Sequence, residues 1–378
     1  MSLSRRRVLS IIGGGSILAA SGFAYAATRR PMTAHLPWAQ AGGYDDVRMR
    51  ALSFALLAPN PHNRQPWLVD LALADQVVLY ADTTRFLPHT DPFNRQITIG
   101  LGGFVELMRM AAAAEGFRVE VALFPAGYDA AALDARPVAQ ARFVADAGAV
   151  ADPLFAHVGA RRSVKEAYDV AREVPEGVLA AILAAVPGSG GSVARESYEA
   201  LRVLSHDALR IEIETPRTYR ESVDLFRIGR AEVDANPDGI DFTGPLFESL
   251  RMVGLFSREA ALDTASSTYR AGLEAVFANT DSAMGHIWLV SAGNSRKDQI
   301  AAGAAWLRLH LAATAAGVAV QPLSQALQEY PEMAGLNGDI HARLAPGGGT
   351  VQMFARIGYG PVVEPSPRWP LEAKILKG

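Results

Sequence analysis

Two stretches of the chain share one pattern of apolar and small residues. Ile99 to Ala114 is apolar and rich in alanine, which predicts a long helix stopped by Gly116 and followed by a strand over residues 117–121. Ile300 to Ala316, Gly317 and then Val318 to Gln321 predict the same succession. Gly102 recurs as Gly303 and Gly116 as Gly317, a shift of 201 in both cases, so the chain carries a degenerate internal repeat. Small residues so placed let two helices approach closely.

A second correspondence precedes each of these helices. Val47 to Pro59 and Val178 to Pro187 both read as amphipathic helices stopped by proline, but here the shift is 128. The second half therefore holds an insertion of about 73 residues. Much of it falls within about residues 206–295, which include the turn-rich run from Asn236 to Pro245, and it is read either as a lid or as surface helix without a role. The expected halves are residues 40–150 and 155–378. Pro346 to Gly349 predict a hairpin turn before a strand over residues 351–357.

The first residues are read apart from the fold. Ser4-Arg5-Arg6-Arg7-Val8-Leu9 is a twin-arginine pattern, followed by a Gly-rich apolar run and Ala24-Tyr25-Ala26. Residues 1–26 are expected to be a Tat signal peptide that takes the chain through the Tat translocon to the periplasm. If it is not cleaved, Val8 to Ala27 is long enough to anchor the protein in a membrane. No later stretch is read as long and apolar enough to span a bilayer.

Composition narrows the chemistry. The 378 residues are 49% hydrophobic with a net charge of −3, which suits a globular protein and gives nucleic acid nothing to bind. The absence of cysteine excludes disulfides, thiol catalysis and iron–sulfur clusters. No paired metal-ligand spacing, nucleophile elbow or phosphate loop occurs, so no metal site is expected.

Four segments carry the candidate chemistry: Ala58-Pro-Asn-Pro-His-Asn-Arg-Gln-Pro-Trp67, Arg161-Arg-Ser-Val-Lys165, Gln321-Pro-Leu-Ser-Gln325, and Arg356 to Gly360 with Pro367-Arg368. Taken alone, Asn60 to Asn63 reads as a turn, and Arg161 and Arg162 as a surface cluster. Together and in this order the segments resemble the nitroreductase superfamily, and within it the tandem, single-chain Acg-like group that binds FMN. Asn60 stands where the group usually has serine, and Lys165 where arginine is common.

The resemblance implies an α+β, nitroreductase-like fold in which two degenerate halves form an intrachain pseudo-dimer, each half giving one part of a single composite FMN site. It assigns Arg161, Arg162, Ser163 and Lys165, at a helix start, to the flavin phosphate and ribityl chain, with Arg368 approaching from the tail. A dianionic phosphate suits cations and unpaired N–H groups. Asn60, Pro61, His62, Asn63 and Gln65 are assigned to the polar edge of the ring, and the backbone of Pro322, Leu323 and Ser324 to its reactive face. No catalytic side chain is firm, the chemistry belonging to flavin N5; His62 is the one proton donor named. Trp67 is read as core.

The function implied is an exported FMN-dependent oxidoreductase that passes electrons to a small acceptor such as a quinone or nitro compound, from a donor that the sequence does not name. The alternative is a flavin-sequestering protein whose insertion covers the site without turnover. With the usual dimer internal, a monomer is feasible.

Overall fold

The computed structural model describes residues 30–377; the expected signal, residues 1–26, lies outside the described residues. The first half comprises α1 (Leu36–Gln40), α2 (Val47–Ala55), β1 (Trp67–Asp70), β2 (Gln76–Ala81), α3 (Arg95–Ala114), β3 (Phe117–Leu123) and β4 (Pro137–Ala145). Its strands form an antiparallel sheet in the order β1-β2-β4-β3. Strand β2 alternates buried and half-buried residues, the period-2 signature of one face turned to a core. That core packs Trp67, Phe104 and Leu107 between sheet and helices, so Trp67 is a core residue, 5.0 Å from the Phe104 ring.

The second half opens with α4 (Glu176–Ala184) and β5 (Gly190–Ser192). The insertion follows as α5 (Arg195–Glu214), α6 (Pro216–Asp224), β6 (Phe226–Ile228), α7 (Arg230–Ala235), β7 (Ile240–Phe242), α8 (Pro245–Met252), α9 (Arg258–Leu262) and α10 (Ser267–Asp281). Then β8 (Gly285–Ser291), α11 (Arg296–Ala315), β9 (Ala319–Pro322), α12 (Ala334–Leu344) and β10 (Thr350–Gly358) complete the half. Its sheet runs β5-β8-β10-β9, again antiparallel and in the same relative order as the first. The insertion thus occupies the β5-to-β8 link, where the first half has only residues 71–75 between β1 and β2. The α+β class read from the sequence is present.

Helices α3 and α11 cross at the centre. A Cβ added to Gly102 would overlap the carbonyl oxygen of Ile300, and one added to Gly303 would overlap that of Ile99. These are the same contact seen from each side, since Ile99 and Ile300 are themselves related by the repeat. The first residues of the two helices repeat the relation. Arg95 reaches into the second half to donate to Gln352 O (2.9 Å) and Leu327 O (2.6 Å). Arg296 reaches back to Asp129 O and to Thr98 Oγ1, both at 3.3 Å. Reciprocal contacts of this kind are those of an isologous interface, here within one chain.

One expectation is corrected by α3. It is long and apolar enough to cross a membrane by length and composition, although the sequence reading found no such stretch after the leader. Its apolar residues are buried between the first sheet and α11, including Leu101, Phe104 and Leu107, so its hydrophobicity serves the core.

Gly102→Ala and Gly303→Ala are each expected to cost about 3 kcal/mol, because a backbone carbonyl cannot rotate away as a side chain can. Gly177→Ala, in α4 with open space around it, is expected to change stability by less than about 1 kcal/mol. Urea unfolding midpoints of the three variants check this.

Candidate functional site

The chain leaves α2 at Leu56 and enters a loop pressed against the central helices. A Cβ on Gly100 of α3 would sit 3.1 Å from Asn60 Cβ, so glycine there sets how deeply the loop lies. His62, Asn63 and Gln65 adopt positive φ of 46°, 50° and 50°, a region costly for residues with a Cβ. Side chains repay that strain by closing on the backbone. Asn60 Oδ1 accepts from Gln65 N (2.7 Å), and Asn60 Nδ2 donates to Ala58 O (3.2 Å). Asn63 Nδ2 donates to Pro367 O (2.9 Å), and Asn63 Oδ1 accepts from Arg368 Nη1 (2.6 Å). Gln65, fully buried, donates from Nε2 to Pro237 O (2.7 Å) and accepts at Oε1 from Trp369 N (2.9 Å).

Asn60, Asn63 and Gln65, expected at the polar edge of a ring, also hold the loop together. In this arrangement all three amides are engaged by the protein, because a loop bent through left-handed residues leaves backbone groups that need partners. The partners of Gln65 and Asn63 come from the insertion and the tail. Gly239 N also donates to Asn63 O (3.3 Å), so the turn 237–239 lies directly on the loop.

The helix start expected at 161–165 is corrected by the structure. Arg161 closes the 3-10 helix Pro153–Ala160, and no helix begins there. The chain runs on extended, with Ser163 bridging to Val320 in parallel and Val164 N donating to Val320 O (2.9 Å), so it adds to the edge of the second sheet. Arg356 secures it: wholly buried, it donates to Lys165 O (3.1 Å) and Glu166 O (2.7 Å), and its guanidinium lies 3.8 Å from the Tyr168 ring centre. Val164 N is thereby committed to the sheet edge, and the extended segment lacks the convergent N–H groups of a helix start. What remains for an anion is the cations.

Those cations converge. Arg368 donates to the carbonyls of Leu56 (2.7 Å), Leu57 (3.4 Å) and Ala58 (3.2 Å), and Arg161 Nη2 to Leu57 O (2.8 Å), so both sit at the C-terminal end of α2, where carbonyls are left without helical partners. Arg161 and Arg368 are 3% and 2% exposed, yet neither makes an ion pair with a described carboxylate. Burial first, then the Arg162 charge, lowers the pKa of Arg161 to about 9; burial, then Arg161 and Arg162, lowers that of Arg368 to about 9 against an opposing pull from Asp241. Arg162 lies over the Trp38 ring at 4.7 Å, and its Nε is buried without a partner.

His62 stands near Lys165 and Arg64. Burial first, then these two charges, lower its pKa to about 4, so it is neutral at physiological pH and a poor proton donor. Pro322 ends β9, Leu323 N donates to Phe354 O (2.9 Å), and Ser324 precedes the 3-10 turn Gln325–Leu327. Since Ser163 pairs with Val320, this central loop continues beside the 161–165 segment. The sequence reading missed Glu212. This buried carboxyl on α5 accepts from Gln328 Nε2 (2.7 Å), fixing the loop beneath the insertion. Only its position on an apolar helix face could have marked it.

The fold and site together define an α+β protein of two like halves with a cation-rich seam between them. No protein-family model matches the chain. Over 326 residues it is 25% identical to "Putative NAD(P)H nitroreductase Rv3131" of Mycobacterium tuberculosis, covering 84% of this chain and 87% of that one. It is 38% identical over 80 residues to "Putative NAD(P)H nitroreductase acg" of the same organism, and that match spans 24% of the relative and 21% of this chain. A crystal structure described as a putative nitroreductase from Anabaena variabilis aligns over 87% of this chain and 92% of its own, at 12% identity and a TM-score of 0.42. The sequence relatives support the nitroreductase superfamily, and with it an oxidoreductase family, for this chain.

Burial raises Glu212 from the ordinary 4.5 to about 7. A carboxyl raised in the fold contributes stability that is present below pH 4.5 and lost as pH rises through 7. Wild-type stability is therefore expected to fall relative to Glu212→Gln by about 2–3 kcal/mol between pH 4.5 and 8, as read from paired urea titrations.

Proposed function

We propose that this chain is an FMN-dependent oxidoreductase of the nitroreductase type, holding one flavin at the seam and passing electrons to a small acceptor such as a quinone or nitro compound. The observation that carries the reading is the set of Arg161, Arg162 and Arg368: buried or half-buried, gathered so that Arg162 lowers the pKa of Arg161 and both lower that of Arg368, and without a carboxylate ion pair among the described residues. Asp241 and Glu364 act on Arg368 and Arg162 only at longer range; buried positive charge without a direct counter-charge is costly, and a phosphate dianion relieves it. The donor set thus fits the phosphate end of FMN, with Lys165 and Ser163 adjacent. Bound there, FMN would supply hydride or electron transfer at its ring. The residues' part is to grip the phosphate, exclude water and keep the ring beside the backbone of Pro322, Leu323 and Ser324. Export through the Tat translocon to the periplasm, and action as a monomer, belong to the same proposal.

A second reading is favoured by one observation. The turn 237–239 rests on Asn63 and Gln65, as expected of a protein that covers its flavin and stores it without turnover.

The visible spectrum of the purified protein decides first. About one FMN per chain is expected, with FMN bound at least about tenfold more tightly than riboflavin, and Arg162→Glu is expected to erase that preference. Equal affinity for FMN and riboflavin would overturn the phosphate assignment. Flavin that dithionite bleaches but no small donor or acceptor turns over would select the storage reading.

A further inference from the structure

Asp238 lies at the middle of the turn that joins α7 to β7, and its side chain is 5% exposed. Three parts of the molecule donate to its carboxylate. Arg85 Nη1 comes from the first half, Arg227 from β6 with Nε at 3.1 Å and Nη2 at 2.6 Å, and Trp369 Nε1 from the C-terminal tail at 3.2 Å. On either side the turn is tied to the site loop, Pro237 O by Gln65 Nε2 and Gly239 N to Asn63 O. Gly239 takes φ of +73°, and a Cβ there would overlap Leu225 O, so the turn is also pressed against the insertion's own backbone.

Two consequences follow for anything that approaches the loop. A bulky molecule must lift the turn, which separates Asp238 from Arg85 of the first half and Trp369 of the tail, while Arg227, on the β6–β7 pair, moves with it. Arg85, which also pairs with Asp82 at 3.0 Å, and Arg227, with Arg64 beside them, would form a cationic patch suited to a pyrophosphate if Asp238 did not occupy them. The carboxylate therefore both closes the turn and neutralises the charges that a dinucleotide would use. A small planar molecule without phosphates needs neither the full opening nor the cations.

We propose that Asp238 is a specificity-determining latch, which makes the site accept electrons from a small hydroquinone and refuse a nicotinamide dinucleotide. The proposal rests on the flavin reading above. The hydroquinone gives two electrons and two protons to the flavin and leaves as the quinone, so no further reductant is needed.

The test uses residues 27–378 loaded with FMN, mixed anaerobically with NADPH or with 2-methyl-1,4-naphthohydroquinone while flavin absorbance is followed. The wild type is expected to be bleached at least about tenfold faster by the hydroquinone than by NADPH at equal concentration. Asp238→Ala is expected to raise the NADPH rate about tenfold or more and to change the hydroquinone rate less than about threefold. Equal rates for the two reductants in the wild type, or an unchanged ratio in Asp238→Ala, would overturn the latch. Should Asp238→Ala not fold, Arg227→Gln removes one arm and is expected to shift the ratio in the same direction; an unshifted ratio counts against the proposal. A chain that takes up no FMN would instead sink the flavin reading. The latch is then read by limited proteolysis across residues 236–244, where faster cleavage of Asp238→Ala supports it and equal cleavage overturns it.

Discussion

Everything at the seam depends on how closely two helix backbones can approach. Gly102 and Gly303 let α3 and α11 meet with carbonyl oxygens where side chains would stand. That contact fixes the distance between the two sheets, and with it the position of the loop after α2, which lies on Gly100 of the same helix. Hydrophobic burial supplies the driving force, but the absence of three methyl-sized volumes at positions 100, 102 and 303 decides the geometry. The reciprocal reach of Arg95 and Arg296 then locks the halves in register at the helix starts.

Around this rigid centre, the site is assembled from segments distant in sequence. Residues 56–65 belong to the first half, 161–165 and 321–324 to the second, 237–239 to the insertion and 366–369 to the tail. None is a complete binding element by itself. Arg368 gathers the carbonyls after α2, Arg356 gathers those after Ser163, and Gln65 ties the insertion to the tail. The buried arginines thus do structural work with neutral acceptors while keeping a charge that those acceptors do not cancel. That combination makes the seam both well ordered and electrostatically suited to an anion.

The repeat, both long helices and the α+β class were legible in the sequence, because apolar periodicity and glycine spacing report directly on helix burial and helix approach. The convergence of residues 58–65 with Arg161 and Arg368 was also legible, through motif order. What was not legible was orientation. Asn60, Asn63 and Gln65 read as amides of a polar loop, but the protein partners they take follow from left-handed backbone at His62, Asn63 and Gln65 that propensity does not encode. Arg161 to Lys165 reads as a helix start, yet it was claimed by a strand edge some 155 residues away, a long-range pairing that local pattern cannot reveal. Glu212 escaped notice because a carboxylate on a helix ordinarily faces water.

The tail has a bearing on how the protein is made. Ile375 bridges to Val69 at the edge of the first sheet, Lys374 Nζ donates to Gln65 O at 2.9 Å, and Trp369 and Arg368 hold the loop between them. During synthesis the loop leaves the ribosome about 300 residues ahead of these partners. The first half can therefore collapse early, but its loop cannot take its final form until residues 367–375 have followed it out. Completion of the site is in this way a late event of folding, and a chain cut before Pro367 is left with a folded centre and an unfinished seam.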